Sequence, residues 1–306
     1  MPYYLGIDGG GTKTTCAAGD ETRALAAATA GPSNVVRVGE AQARESLHQA
    51  VRKACAASGI TPGQVVRTCV GGSGAARPEL AAIVRGILAE ILPGPVDVVG
   101  DMEIALQAAF DDDSGVIVIA GTGSIAYGRD RTGKNVRAGG WGFEIGDEGS
   151  AHWIGRAAVS AVLRASDRDG DIASSSLPKA LCKAWGVSSL SDLARAGNSV
   201  PPPDFAVLFR AVAASEDELA REVLNRAGRE LADVADVVIR RLFHEDNEAP
   251  VPVAMIGGVF RHAAPVREAF YNELQTLAPR ARVMSQVVEP VEGALRMARK
   301  AAVQRV

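Results

Sequence analysis

Two glycine-rich turns, each set between short apolar strands, constrain the fold of this chain more than any other feature. The first, D-G-G-G-T-K-T at 8–14, separates predicted strands at 3–8 and 12–18. The second, A-G-T-G-S at 120–124, follows an apolar strand at 116–120 and precedes one at 125–129. Further strands and helices are predicted after each turn. This repetition predicts an α/β chain built from two similar domains with a cleft between them.

The order of predicted elements places the domain boundary at about residue 115. Domain 1–115 has further strands at 24–30, 65–70 and 96–99 and helices at 40–58, 78–91 and 103–110. Domain 116–306 has a helix at 150–166, a helical insertion, a strand at 251–256, a helix at 264–277, a strand at 281–284 and a last helix from 290. An S-x-x-E capping box at Ser215 and Glu218 predicts a long helix that ends near 243. We expect the last helix to pack back on the first domain.

Composition argues against several classes of protein. A net charge of −3 over 306 residues gives no electrostatic reason to expect nucleic acid or an anionic membrane as a partner. The apolar stretches are interrupted too often to cross a bilayer and the start lacks a secretory signal, so we expect a cytoplasmic protein. The four cysteines and four histidines show neither C-x-x-C nor H-x-x-x-H spacing, which predicts no disulfide scaffold and no metal site built from protein ligands alone.

The first turn has the chemistry of a phosphate-binding loop. Three consecutive glycines let the backbone present its N–H groups to a phosphate, while Thr12 adds a hydroxyl and Lys13 a positive charge. Asp8, at the strand end, could hold Mg²⁺ through water, because this ion keeps several waters in proteins. The alternative for this segment is an ordinary glycine-rich hairpin.

The second turn and the segment that follows it also match two other nucleotide-binding patterns. The run 121–126 matches the G-x-G-x-x-A dinucleotide fingerprint, but that motif requires a helix next, whereas 125–130 has the pattern of a strand entering a turn. The run 128–135 matches G-x₄-G-K, but Asn135 stands where a P-loop needs Ser or Thr. A polar hairpin turn at 130–134 is the simpler interpretation, which leaves the second turn as a second phosphate loop.

Together these motifs resemble the N-acetylglucosamine kinase family. The resemblance also rests on G-G-W-G-F-E-I-G-D-E-G-S-A at 139–151, I-G-G-V at 256–259 and V-E-G-A at 291–294, which occur in family order along nearly the whole chain. Relatives of this family include glucosamine kinases and the activator ATPases of acyl-CoA dehydratases and reductases. The resemblance implies two ribonuclease-H-like domains of the actin-like ATPase type, which close around ATP and a sugar.

The resemblance assigns the nucleotide contacts. It implies ATP and Mg²⁺ as cofactors, with Asp8 at the metal. The implied ATP contacts are Asp8, Gly9, Gly10, Gly11, Thr12 and Lys13 in the first loop, Gly121, Thr122, Gly123 and Ser124 in the second, and Gly257, Gly258 and Val259 at the adenosine. For the Gly257 segment, the alternative is a turn that only starts a helix after a buried strand.

The resemblance also assigns the acceptor site. Asp101 follows an apolar strand at its carboxyl end and would be the catalytic base, with a helix N-cap carboxylate as the alternative. The implied sugar contacts are Asn34, Ser73, Gly74, Asp101, Thr122, Gly140 and Asp147. The polar loop residues among them could instead only cap turns. One departure is Ile125, where family members that act on N-acetylglucosamine often have Asn.

The leading hypothesis is transfer of a phosphoryl group from Mg·ATP to the 6-hydroxyl of N-acetylglucosamine. The alternatives are glucosamine or another hexosamine as acceptor, and an activator ATPase that serves an iron–sulfur partner enzyme. An activator would need cysteines clustered at a subunit contact, which the spacing of the four cysteines does not predict. A transcription regulator on the same fold would need an added helix-turn-helix domain, and the chain begins at the first strand. The sequence is compatible with a homodimer.

Overall fold

A computed structural model of the chain describes residues 1–72, 74, 77–170, 172, 175–201, 203–244 and 249–303. The chain forms two compact units. The first unit combines Met1–Asp113 with Val288–Val306, and the second comprises Ser114–Val287. Within the described residues, no helix combines the length and apolarity that a bilayer span would need.

Strands and helices alternate along most of the chain. The strands are β1 (Tyr3–Gly9), β2 (Thr14–Gly19), β3 (Ala24–Ala30), β4 (Val65–Gly72), β5 (Val96–Gly100), β6 (Gly115–Ala120), β7 (Ser124–Arg129), β8 (Asn135–Gly139), β9 (Val251–Ile256) and β10 (Ala281–Val288). The helices are α1 (Val35–Ala57), α2 (Pro78–Ala89), α3 (Asp101–Phe110), α4 (Ala151–Asp169), α5 (Ser176–Trp185), α6 (Leu190–Gly197), α7 (Phe209–Ala213), α8 (Glu218–Leu242), α9 (Gly258–His262), α10 (Ala264–Leu277) and α11 (Pro290–Val303). The predicted α/β class is confirmed.

The first unit is a five-stranded sheet in the order β3-β2-β1-β4-β5. Strand β1 runs antiparallel to β2 and parallel to β4, and β5 is parallel to β4. Side chains alternate across the sheet, so that Leu5 and Ile7 join one buried cluster while Tyr4 joins another. The cluster around Tyr4 includes Leu295 of α11, and this helix also packs on α3.

The second unit repeats this sheet, with strands in the order β10-β9-β6-β7-β8. Strand β6 runs antiparallel to β7 and parallel to β9. The 25-residue helix α8 packs on β6, β7 and β8 and against α10. Its small and branched buried side chains, such as Ala227, Leu231 and Ala235, lie within one continuous core cluster. Helices α4 to α7 lie between β8 and α8 along the chain.

Most predicted elements occur where the sequence placed them. Strand β8 at Asn135–Gly139 was not predicted, and other differences are at element ends. The predicted strands at 24–30 and 251–256 and the helix at 264–277 are confirmed. Helix α1 begins at Val35 and not near 40. Its first turn precedes a kink at Gly39, whose φ of 77° is not helical. Strand β10 extends to Val288, four residues beyond the prediction.

The predicted capping box at Ser215 is wrong. Asp217 is the N-cap of α8, and its carboxylate accepts a hydrogen bond from the Leu219 N–H at 3.1 Å. The Ser215 hydroxyl instead accepts from the Asp217 N–H at 3.2 Å. Asp and Ser are comparable N-cap residues, so the choice between them depends on where the chain enters the helix.

Candidate functional site

The first glycine-rich turn, between β1 and β2, is held by backbone hydrogen bonds. The Gly10 N–H donates to the Lys13 carbonyl at 3.0 Å and closes the turn. The Gly10 carbonyl accepts from the Ser33 and Asn34 N–H groups at 3.1 and 3.3 Å. Thr12 and Lys13 are exposed at the tip. The turn is therefore fixed at its base and offers a hydroxyl and a cation to solvent.

Two carboxylates lie at the carboxyl edge of the first sheet. Asp8 is near the end of β1, where it pairs with Gly71 of β4, and Asp101 directly follows β5. Burial raises the pKa of Asp8 to about 6, the negative charges of Asp101 and Glu289 add to this rise, and the Lys13 cation opposes it. The structure thus brings together three of the predicted site residues, Asp8, Lys13 and Asp101, within one electrostatic environment.

Asp101 is the first residue of α3 and not its cap. The N-cap is Gly100, whose N–H donates to the Glu103 carboxylate at 3.2 Å, so the N-cap alternative for Asp101 is wrong. One Asp101 oxygen accepts from the Met102 N–H at 3.0 Å. Burial raises the pKa of Asp101, while hydrogen bonds from the Met102 and Asp101 N–H groups oppose the rise. A carboxylate with a pKa moved toward neutrality suits general-base chemistry.

Two predicted sugar contacts of the first unit, Asn34 and Gly74, lie outside the helices and strands. The Asn34 side chain caps α1, accepting from the Val36 and Arg37 N–H groups at 3.1 and 3.3 Å. Asn34 is therefore the N-cap of α1, so its side chain has a capping role of the kind that the sequence offered as the alternative to a sugar contact. Gly74 is exposed and has a φ of 77°. Ser73 lies outside the described residues.

The second glycine-rich turn, between β6 and β7, is bonded to the segment that leads into α4. The Ala151 N–H donates to the Gly121 carbonyl at 2.8 Å, and the His152 N–H donates to the Thr122 carbonyl at 3.3 Å. The Ser124 hydroxyl is buried and donates to the Glu148 carbonyl at 2.7 Å. The Ser124 side chain thus anchors the turn.

Asp147 joins the two glycine-rich segments of the second unit. It is buried, and its carboxylate accepts from the Gly142 N–H at 3.2 Å and from the Ser124 N–H. A Cβ added at Gly123 would lie 2.5 Å from an Asp147 oxygen, so only glycine admits this close approach. Burial raises the pKa of Asp147, and its two backbone hydrogen bonds oppose the rise.

The segment between β8 and α4 presents large side chains outward. Trp141 is 66% exposed, and the Arg137 guanidinium lies 4.6 Å from the centre of its ring. Gly140 packs against the side chain of Ile125, which a Cβ at Gly140 would approach to 2.7 Å. The structure therefore places Ile125 and Gly140 together, next in sequence to Trp141.

The predicted adenosine contacts follow β9. Gly257 has a φ of 104°, and a Cβ there would lie 2.4 Å from the Ala120 carbonyl oxygen, so glycine allows β9 to end against the second turn. Gly258 begins α9. The Val259 side chain is fully buried, which leaves its backbone as the part that a ligand could touch.

Two charged residues near the first turn were not singled out in the sequence. The Arg37 guanidinium lies beside Gly11, and Glu289 acts on the pKa of Asp8. Arg37 is the third residue of α1, so the signal in the sequence was a cation in the first turn of that helix. Glu289 is distant from Asp8 in sequence, and only the return of the chain to the first unit brings it near.

Comparison with known proteins identifies close relatives over the whole chain. Residues 5–298 match the model of the BadF/BadG/BcrA/BcrD ATPase family. The chain is 30% identical to an N-acetylmuramic acid/N-acetylglucosamine kinase of Clostridium acetobutylicum, over 98% of this chain and 99% of that one. It is 28% identical to an N-acetyl-D-glucosamine kinase of Dictyostelium discoideum, over 96% of this chain and 97% of that one.

The fold has a solved counterpart. A crystal structure from Chromobacterium violaceum, described as that of a candidate N-acetylglucosamine kinase, superposes with a TM-score of 0.75 at 25% identity. The match covers 97% of this chain and 99% of that one. These likenesses confirm the kinship and the actin-like α/β fold that the sequence motifs predicted.

Proposed function

The chain belongs to the BadF/BadG/BcrA/BcrD ATPase family, and from this premise we propose that it is an ATP-dependent kinase that phosphorylates the 6-hydroxyl of N-acetylglucosamine. The observation that carries the proposal is the pair of partly buried carboxylates, Asp8 and Asp101, beside an exposed lysine on a glycine-rich turn. Phosphoryl transfer needs such a set, because it depends on positioning and on charge and less on covalent chemistry.

Asp101 is the proposed general base. Its carboxylate would accept the proton of the sugar 6-hydroxyl while that oxygen bonds to the γ-phosphorus and the bond to ADP breaks. The hydrogen bonds from the Met102 N–H, at 3.0 Å, and from the Asp101 N–H would orient the carboxylate toward the hydroxyl. The pKa of Asp101, raised by burial, makes the group a stronger base than an exposed aspartate.

Asp8 is the proposed magnesium residue. Mg²⁺ usually keeps several waters and takes one or two carboxylates. The described residues contain no cluster of three or more metal-ligating side chains, so a site built on Asp8 and water fits the donors present. Magnesium, when bound, would neutralise charge on the phosphate oxygens, and a cation near Asp8 would favour its ionised form.

The nucleotide contacts are proposed for both glycine-rich turns. In the first, the N–H groups of Gly9, Gly10 and Gly11 with Thr12 and Lys13 would contact phosphates. In the second, the contacts would come from Gly121, Thr122, Gly123 and the Ser124 backbone, since the Ser124 hydroxyl is engaged with Glu148. Gly257, Gly258 and the Val259 backbone are the proposed adenosine contacts.

The acetamide of the sugar is proposed to lie against Ile125 and Trp141. Ile125 is partly buried against Gly140, and Trp141 is exposed. An acetyl group needs an apolar surface with one or two hydrogen bonds, which these side chains and their neighbouring backbone can supply. The remaining proposed sugar contacts are Asn34, Ser73, Gly74, Asp101, Thr122, Gly140 and Asp147. Both relatives compared above are named as kinases of N-acetyl amino sugars, which supports this acceptor.

The cysteines disfavour the activator alternative. An iron–sulfur cluster shared at a subunit contact would need thiolates at the surface. Cys16, Cys55 and Cys69 are buried and Cys182 is half-buried. Burial raises the pKa of all four thiols.

A glucosamine kinase is disfavoured by the state of Asp147. An ammonium group in the site would need a carboxylate free to pair with it. The Asp147 carboxylate already accepts two backbone hydrogen bonds and is buried.

A sugar screen tests the proposed function. Purified protein with Mg·ATP is incubated with N-acetylglucosamine, with glucosamine or without sugar, and ADP release is followed. We expect release that depends on N-acetylglucosamine. Equal release with and without sugars would support an activator-type ATPase and contradict the kinase.

A further inference from the structure

An arginine of α1 lies against the first glycine-rich turn. A Cβ added at Gly11 would lie 3.3 Å from Nη1 of Arg37 and 3.4 Å from its Cδ, so the Arg37 guanidinium is beside the backbone of Gly11. Gly11 stands between Gly10, whose N–H closes the turn, and the exposed tip at Thr12 and Lys13. A charged group that the glycine-rich motif does not contain is therefore part of the same surface.

Hydrogen bonds fix the start of α1 to this turn. The Gly10 carbonyl accepts from the Ser33 and Asn34 N–H groups at 3.1 and 3.3 Å. The Thr14 hydroxyl donates to the Ser33 hydroxyl at 2.7 Å, which ties the same segment to β2. The Asn34 side chain accepts from the Arg37 N–H at 3.3 Å. The backbone at Arg37 is thus held at a defined place beside the turn, and only its side chain has to adjust to a ligand.

The helix itself does not benefit from a cation at this position. The first turn of α1 is V-V-R-V at 35–38, and the N-terminal end of a helix dipole is positive. A cation there is repelled by the dipole, whereas an anion beside it is attracted by both. The Arg37 side chain is also exposed, so it does not stabilise a buried core. Its charge therefore suits an anionic ligand at the turn better than it suits the helix.

The proposed reaction needs cations at this edge of the sheet. The negative charges of Asp8, Asp101 and Glu289 act together there, and they oppose the approach of a polyphosphate. Lys13 is a cation close enough to act on Asp8. Arg37 supplies a second positive charge on the other side of Gly11 from the tip of the turn. Two cations on one turn offset this repulsion better than one.

We propose that Arg37 is a phosphate-binding residue, whose guanidinium contacts the terminal phosphates of the nucleotide beside Gly11. A guanidinium presents a planar fork of N–H donors that matches two oxygens of one phosphate. Its five donors can hold a phosphate and a protein acceptor at the same time. The terminal phosphates are assigned because Asp8 and Asp101, the residues of the proposed transfer, lie at the same edge of the sheet. The proposal rests on the proposed nucleotide contacts of the first turn.

The test compares binding of two nucleotides to three proteins by calorimetry. ATP and AMP, each with Mg²⁺, are titrated into the wild type, Arg37→Gln and Arg52→Gln. Arg52 is a matched control, because it is an exposed arginine on the same helix, about 22 Å further along by the rise of a helix. Arg37→Gln should weaken ATP binding by about tenfold or more, the effect of losing a hydrogen bond to a charged group. Binding of AMP, which lacks the terminal phosphates, should stay within about twofold. Arg52→Gln should match the wild type with both nucleotides.

The comparison of nucleotides separates this proposal from the kinase function. If Arg37→Gln leaves ATP binding unchanged, or weakens ATP and AMP binding by the same factor, Arg37 does not contact the terminal phosphates and the proposal is wrong. If the wild type binds ATP but phosphorylates no amino sugar, the kinase function is wrong, and the ratio of ATP to AMP affinity still decides the role of Arg37. If the wild type binds no ATP, both are wrong.

Discussion

Replacement of Asp101 by asparagine separates chemistry from folding. The change keeps the shape of the side chain and the oxygen that accepts from the Met102 N–H, but removes the base. Loss of a positioned acid or base group lowers kcat by about 10²–10⁴. This corresponds to about 3–5 kcal/mol of transition-state stabilisation.

The same replacement should not destabilise the folded protein. Burial raises the pKa of Asp101 in the folded state, so its ionised form is disfavoured there at neutral pH. A neutral asparagine removes that cost, and we expect the melting temperature at pH 7.5 to be equal to or above that of the wild type. Below the ordinary pKa of aspartate, where both states are protonated, the difference should vanish.

The assay is steady-state turnover of N-acetylglucosamine at saturating Mg·ATP, together with thermal unfolding at two pH values. Asp112→Asn is the matched control, because Asp112 is exposed and its carboxylate pairs with Lys300 at the surface. It should keep wild-type turnover. An Asp101→Asn protein with wild-type kcat would remove Asp101 from the chemistry. If the lower kcat is accompanied by a lower melting temperature, Asp101 is a structural residue.

Three further predictions concern the metal, the phosphate loops and the acceptor. Asp8→Asn should raise the melting temperature at pH 8 and not near pH 3, because burial raises the pKa of Asp8 to about 6 and its ionised form is disfavoured in the folded state. The same change in melting temperature at both pH values would refute this explanation. Lys13→Ala and Thr122→Ala should raise the KM for ATP or lower kcat while unfolding shifts by less than about 0.5 kcal/mol, and a parallel loss of stability would contradict their proposed phosphate role. The kcat/KM for N-acetylglucosamine should exceed that for glucosamine by about tenfold or more, and a ratio of one or less would favour a glucosamine kinase.

Elements with local signals could be predicted from the sequence. Strand β9 occupies the predicted residues because it is an apolar run that ends at a glycine pair. Helix α10 does so because a proline lies in its first turn. The family and the α/β class could also be predicted, since each glycine-rich turn is contiguous in sequence.

Features that depend on distant residues could not be predicted. Whether Ser215 or Asp217 caps α8 is decided by the path of the chain before the helix, and both residues suit a cap. The hydrogen bonds of Asp147 to two different loops depend on a left-handed φ of 57° that no local pattern predicts for an aspartate.

The product of the reaction provides the most direct test of the kinase function. Purified protein, Mg·ATP and N-acetylglucosamine are incubated to completion, and the sugar is examined by phosphorus and proton NMR with Asp101→Asn as the control. We predict a phosphomonoester whose phosphorus couples to the two protons on carbon 6, formed in equal amount to ADP and nearly absent with the control. ADP that accumulates while the sugar stays unmodified, or a phosphate on another oxygen, would contradict the proposed reaction.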